Sequence, residues 1–369
     1  MGRREYIVAT GVGLAGAVAG CSGQSSTEST DVVTETSTES GYAVSMEPVG
    51  EATFESVPDV WVANNGSCAD MGIALGLEPP EGVWLPSRYH TQYYDGIPGV
   101  SVDGSSIRQL WGDSGVGKEQ FYEMDADIHV MDPNFLRSRG SWDRSDVEEI
   151  ETRVAPFFGN SIFSTGYEWH DYTYYTLYEA FGKLAQAFQR TDRFDAFQSL
   201  HGEFQATLGD VVPESDSQRP EVAIAWAGSD EPTSFSPYLI EDGTSFKQWR
   251  DLGVRDAFAE TDVRDFHSDR SQVDFETLLD IDPEYLLLRG QENKTRAEFE
   301  ETVVRSLEAD PTGSELTAVR NGNVYRGGSL YQGPITNLVL TERAASQVYD
   351  VDRELFDRQR VADIVAGDL

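Results

Sequence analysis

Residues 112–119 read Gly-Asp-Ser-Gly-Val-Gly-Lys-Glu, and Gly112, Gly117 and Lys118 fall in the register of a phosphate-binding loop. The eighth position of such a loop carries a hydroxyl that ligands Mg²⁺; here it is Glu119. No second metal-holding acid is evident at a strand end. Gly-Asp-Ser-Gly also surrounds the nucleophile of serine proteases, but that chemistry needs a matched His and Asp, and no such spacing stands out. A second group of residues is more promising. Arg88, Tyr89, His90, Tyr93 and Tyr94, then Trp111, Arg137, Arg139 and Trp142, gather in short segments between apolar runs. So do Tyr167, Trp169 and His170, and later Trp226, Tyr238, His267, Arg270, Arg289 and Tyr331. Guanidinium groups can grip a carboxylate or phosphate. Aromatic density suits a bulky, flat or semi-polar ligand.

The elements that would position these residues come in two similar sets. Residues 57–77 read as a buried strand, a polar turn at Asn64-Asn65-Gly66-Ser67, and a helix beginning near Ser67. Residues 221–235 open a second half in the same way, with a strand over 222–227. Deeper in each half a short helix, an acidic turn and an apolar strand recur, at 119–130 and 276–287. Glu119 and Glu276 are 157 residues apart, and so are Asp127 and Glu284. Two similar α/β lobes are expected, each with a mostly parallel sheet. Between them, Leu177, Phe181, Leu184 and Phe188 recur at helical spacing, and Phe194, Phe197, Leu200 and Phe204 continue the pattern. This predicts a bridge over 171–212, built around one long helix whose aromatics pack in the core.

The chain begins with Arg3 and Arg4, then an uncharged stretch from Tyr6 to Gly20. That stretch is short for a membrane span, which needs about 20 apolar residues. It reads as an export signal, with the Arg pair indicating the twin-arginine route. Val18-Ala19-Gly20-Cys21 resembles a lipobox, which implies lipidation of Cys21 and anchoring at the outer face of the membrane. Residues 22–50 follow as a Ser/Thr/acidic tether ahead of the first lobe at 51–170, the bridge at 171–212 and the second lobe at 213–369. An exported chain does not meet ATP or GTP, which argues further against a nucleotide loop.

The formal net charge is −36, with only four Lys among 28 basic residues. Such a surface points to an extreme halophile, where salt screens self-repulsion. No basic stripe exists to neutralise phosphates, which excludes nucleic acid as a partner. After processing at Cys21 only Cys68 remains, so neither an intrachain disulfide nor a Cys-based metal site is available.

Together these features resemble the helical-backbone (class III) substrate-binding proteins of ABC importers, which carry ferric siderophores, haem or cobalamin. Asp70-Met-Gly-Ile-Ala-Leu-Gly-Leu77 is similar to the family's first helix, and residues 125–133 and 280–288 to its two strand-leading segments. Residues 316–328 are similar to the run before its last helix. The first lobe departs from the pattern at Ala126, where Pro is usual. The resemblance spans roughly residues 55–350. It implies a binding protein rather than an enzyme, acting as a monomer, without a resident cofactor or metal. Its partners would be a small-molecule chelate or corrinoid and an ABC permease dimer with a cytoplasmic ATPase. In the family, a Glu at the place of Glu119 and of Glu276 docks onto Arg residues of the permease.

In open α/β sheets ligands lie beyond the carboxyl ends of strands. The expected contacts are therefore Asn65, Ser67, Arg88, Tyr89, His90, Tyr94, Trp111, Arg137, Trp142 and Trp169 from the first lobe. Trp226, Arg270, Arg289 and Tyr331 complete them from the second. A ferric siderophore, whose iron is already wrapped, ranks first, with cobalamin and haem as alternatives. A bare metal would require His90, His170 and His267 to converge; His129 lies within a strand and reads as core. Asn65 and Asn293 head glycosylation sequons, the first in a cleft loop and the second on an exposed one.

Overall fold

Two parallel sheets organise the computed structural model, which describes residues 41–113 and 115–369. The export signal, Cys21 and the tether up to residue 40 lie outside the described residues. The first sheet has four strands in the order Arg108–Gln109, Gly82–Val83, Trp61–Ala63, Ile128–Val130, all parallel. Trp61–Ala63 and Ile128–Val130 are buried throughout, as expected of parallel strands covered on both faces. In the second sheet, Glu221–Trp226 pairs in parallel with Tyr285–Arg289 over five residues. Val324–Arg326 and Arg255–Asp256 add further parallel strands, and Ser236–Pro237 closes one edge antiparallel. Among the described residues no helix is long and apolar enough to cross a membrane.

The internal repeat holds at atomic detail. The helices Glu119–Met124 and Phe275–Ile281 each end at an Asp in the left-handed region, Asp125 (φ 46°) and Asp282 (φ 47°). Two residues on, Asp127 Oδ2 accepts from the backbone N–H of Asp59 (3.0 Å) and Val60 (3.1 Å). Glu284 Oε2 accepts from the N–H of Glu221 at 2.9 Å. The acid at the matched position ties down the start of the neighbouring strand in both lobes.

Two expectations change. The tether does not extend to residue 50, because Tyr42–Met46 and Gly50–Phe54 pair as an antiparallel hairpin. Alternation explains it: Val44, Met46, Ala52 and Phe54 are buried between exposed neighbours. The bridge is not one helix but two, Leu177–Ala187 and Thr191–Gly209, broken at Gln189 (φ 52°). The longer one, at 19 residues, spans roughly 28 Å. Phe181 meets Phe194 and Phe197 at ring distances of 5.4 and 5.9 Å, so the bridge aromatics are core, as the periodicity predicts. The phosphate-loop lookalike, set aside on its sequence, is a small hairpin, Trp111–Gly112 against Gly115–Val116, that leads into the Glu119–Met124 helix. Lys118 Nζ is held by Asp146 (2.6 Å) and Glu149 (2.7 Å). A lysine engaged by two carboxylates is not poised for a phosphate.

Two buried carboxylates, Asp70 and Glu292, tie the lobes together. Asp70, on the Gly66–Ala74 helix, accepts from the N–H groups of Ile335 (2.9 Å) and Thr336 (3.0 Å) and from Tyr94 OH (2.6 Å). It thereby caps the Pro334–Tyr349 helix from across the interface. Burial pushes its carboxyl up to about 6, although these hydrogen bonds oppose the shift. Glu292 receives Arg343 bidentately at 2.9 and 3.1 Å, and Tyr93 OH at 2.5 Å.

Candidate ligand cleft

Beyond the strand ends lies a cavity of ≈ 520 Å³ lined by both lobes. The chain leaving Gly82–Val83 delivers Trp84, Leu85 and Arg88, and the small hairpin delivers Trp111. Asp132 caps the Pro133–Arg139 helix, and that helix supplies Phe135 and Arg139. Phe163 and Tyr167 complete the first-lobe wall. The second lobe contributes Trp226 at a strand end, Tyr238, and Phe266, His267 and Arg270 around a short helix. Leu330 and Tyr331 come from the segment that Ser67 holds, since Ser67 Oγ accepts from the Gln332 N–H at 3.0 Å.

Three guanidinium groups face this cavity, each backed by an aromatic ring. Arg88 lies 4.9 Å from the ring centre of Trp226, across the cleft from its own lobe. Arg139 lies 5.3 Å over Tyr167, and Arg270 4.9 Å over Phe266. None of the three pairs with an Asp or Glu among the described residues, in a chain with 64 acids against 28 Lys and Arg. His267 is buried among them, with Nδ1 3.1 Å from Ser164 Oγ. Burial, then repulsion by Arg289, Arg270, Arg139 and Arg88, pushes its imidazole down to about 3. At neutral pH the cleft therefore holds a neutral imidazole inside a cationic ring of arginines. A second cavity of ≈ 180 Å³ adjoins it, sharing Arg88, Trp226 and Leu330 and adding His90, whose Nδ1 lies 3.1 Å from Asn293 Oδ1.

The periplasmic binding protein family is matched over residues 124–331, more than half of the chain. The chain belongs to that family. Among solved structures it is similar to a periplasmic binding protein from Veillonella parvula, at 14% identity and a TM-score of 0.57, covering 85% of this chain and 99% of that one. It is also similar to SirA of Staphylococcus aureus, solved with staphyloferrin B, at 14% identity and a TM-score of 0.55, covering 83% and 98%. FhuD of Vibrio cholerae, a siderophore binding protein solved with Fe³⁺-Desferal, gives 16% identity and a TM-score of 0.54, covering 81% and 100%. At these identities the likeness is one of fold. No curated protein sequence matches the chain.

In this periplasmic binding protein the cavities take up Arg88, His90, Trp111, Trp226, Arg270 and Tyr331 from the expected contacts. The other expected contacts serve elsewhere. Asn65 is the N-cap of the Gly66–Ala74 helix, its Oδ1 accepting from Ser67 N–H at 2.9 Å; it is buried, and so is Ser67. Tyr89 OH meets Tyr94 OH at 2.7 Å in a buried chain leading to Asp70. Arg137 is exposed and bonds Asn134, because two residues along a helix turn a side chain to the far face; Arg139 points in instead. Trp142 is core, donating to Val116 O at 2.6 Å and packing on Phe121. Trp169 stacks behind Tyr167 at 5.1 Å. Arg289 is 0% exposed and lies beneath Tyr238.

Trp84, Phe135 and Phe163 also line the cavity; each is a lone aromatic beside an aliphatic neighbour, a pattern that reads as core. His170 stacks on Tyr174 at 3.5 Å, and His129 is core, its Nδ1 3.2 Å from Ala155 O. His90, His170 and His267 do not converge, and among the described residues no group of three or more His, Cys, Asp or Glu could hold a metal ion.

Proposed function

We propose that this protein captures an anionic ferric chelate of the siderophore type in the inter-lobe cleft and hands it to an ABC permease dimer driven by a cytoplasmic ATPase. The observation that carries this reading is the trio Arg88, Arg139 and Arg270, set on aromatic rings and without acidic partners among the described residues, in a strongly acidic chain. Carboxylate or catecholate groups on a chelate would provide the missing counter-charges through charge-assisted hydrogen bonds. The aromatic walls would cover its apolar faces. Iron bound within such a chelate needs no ligand from the protein. Haem and cobalamin compete for the same cleft but call on fewer anionic contacts.

The test is a panel at high salt: anionic and neutral ferric chelates, haem and cobalamin, followed by tryptophan fluorescence and melting temperature. Trp84, Trp111 and Trp226 line the cavity, so binding should quench emission. Anionic ferric chelates are expected to bind; quenching by haem or cobalamin alone, or by nothing, overturns the reading. The Arg pair and the Val18–Cys21 run further support twin-arginine export and a lipid anchor on the outer membrane face, in a halophile. Cys21→Ser should then shed folded protein into the medium, and retention in the membrane fraction would refute the anchor.

A further inference from the structure

Arg289 ends the Tyr285–Arg289 strand on the side of the sheet that faces the cleft, yet its side chain is 0% exposed. Nη2 donates to Ser245 O, while Nε and Nη1 find no hydrogen-bond partner among the described residues. No carboxylate lies within ion-pair distance of it there. Glu292, Asp265 and Glu241 act on it only from farther away, and Glu292 is already engaged by Arg343. A cation buried without a counter-charge is costly. The rings of Phe246, 4.5 Å away, and Tyr238, 5.5 Å away, recover part of that cost. Tyr238 is itself part of the cavity wall. The charge thus sits one ring behind the ligand surface.

We propose that Arg289 is a positioning residue for charge: a fixed cation behind the cleft wall that touches no ligand, tunes the site toward anionic chelates through Tyr238, and finds its counter-charge in the bound ligand. This rests on the anionic-chelate reading above. The field of Arg289 also has a reporter that requires no ligand. His267 lies 4.8 Å from the Tyr238 ring, facing Arg289 together with Arg88, Arg139 and Arg270. Asp265 Oδ1 at 3.7 Å and Glu241 Oε1 at 3.9 Å favour its protonation and oppose them. Ser164 Oγ at 3.1 Å and the Tyr167 ring complete its surroundings.

The experiment compares Arg289→Met and Arg289→Lys with the unsubstituted protein. The probes are ferric dicitrate, which is anionic, and ferrioxamine E, which is neutral. Arg289→Met should weaken ferric dicitrate about tenfold, the scale of one unit charge acting across a ring at an intermediate dielectric, and leave ferrioxamine E unchanged. Arg289→Lys should retain most of the preference. By NMR titration, the His267 imidazole should protonate at higher pH in Arg289→Met but not in Arg289→Lys. The ligand-free melting temperature of Arg289→Met should not fall, since the variant removes an unpaired buried charge. Equal weakening of both chelates, or a melting temperature lowered in both variants, would show a merely structural role. Failure of the unsubstituted protein to bind ferric dicitrate defeats the reading of the site; an unmoved His267 titration defeats the role of Arg289 alone.

Discussion

Two sets of charges lie along the boundary between the lobes, a pair within the second lobe that reaches Tyr93 of the first, and a trio drawn from both, and they are treated differently. Beside the smaller cavity, Glu292 is buried and saturated by Arg343, Tyr93 and the Gly328 N–H. Around the larger cavity, Arg88, Arg139 and Arg270 lie against rings and have no acidic partner among the described residues. A saturated pair fixes geometry, because every lone pair has a donor and little is gained by moving. An unpaired cation is held ready for something that arrives later. The same residue type, Arg, serves both sets, and only the partner tells a fastening from a binding site.

The sharpest way to break that comparison is Glu292→Gln. Removing one partner of a buried pair strands the other, at a cost of about 3–5 kcal/mol. Arg343 keeps 23% of its side chain exposed, which places the expected loss toward the lower end. Urea denaturation at neutral pH measures it. The pH dependence has a definite sign. Burial alone would push the Glu292 carboxyl up, but Arg343 and Tyr93 outweigh it and hold it down at about 2, below its ordinary value of 4.5. The pair's contribution is therefore present above pH 4.5 and fades as pH falls toward 2. Glu292→Gln should flatten the stability profile in that window. An unchanged profile would mean that the Glu292–Arg343 pair is not a fastening.

The cleft arginines should respond in the opposite way. Arg88→Ala, Arg139→Ala or Arg270→Ala should each weaken an anionic ferric chelate by about 1.5–3 kcal/mol, the range for a charged hydrogen bond. Stability should hold, because no carboxylate is stranded. Calorimetric titration alongside melting curves separates the two effects. A variant that loses stability without losing affinity would move that arginine to the fastening class.

How much of this was legible beforehand follows from what a sequence encodes locally. The repeat was readable because Asp127 and Glu284 do the same backbone work in both lobes, so acid and spacing recur together. The hairpin starting at Tyr42 escaped notice because its strands bury only two side chains each. The cavity wall includes Arg88 and Trp226 beyond strand ends, where the sequence reading looked for cleft residues, and Arg270 at the end of a short helix. Direction was not legible: Arg137 and Arg139 differ by half a helical turn, and Arg289 at its strand end turns inward beneath Tyr238. Nor was the sharing between core and wall, where Trp84, Phe135 and Phe163 do both. Partnership is a three-dimensional property, and the contrast between paired and unpaired arginines lives there.

The smallest effect on the molecule itself is expected from Glu119 and Glu276, which belong to neither class. Both are exposed in the first turn of short helices that the repeat places equivalently. An acid there is mildly favoured by the helix dipole, so each has an ordinary reason to be present. Under the proposed function the symmetry would add another, since one carboxylate on each lobe would match the two halves of a permease dimer. Charges at the rim of an interface act mainly on association rate and specificity, and salt weakens their long-range part. Glu119→Gln combined with Glu276→Gln should therefore leave melting temperature and chelate affinity where they were. Uptake of radioiron chelate by cells carrying the double variant should fall sharply, and each single variant should fall less. Normal uptake in the double variant would return both residues to the general acidic surface and leave the docking site to be sought elsewhere on the two lobes.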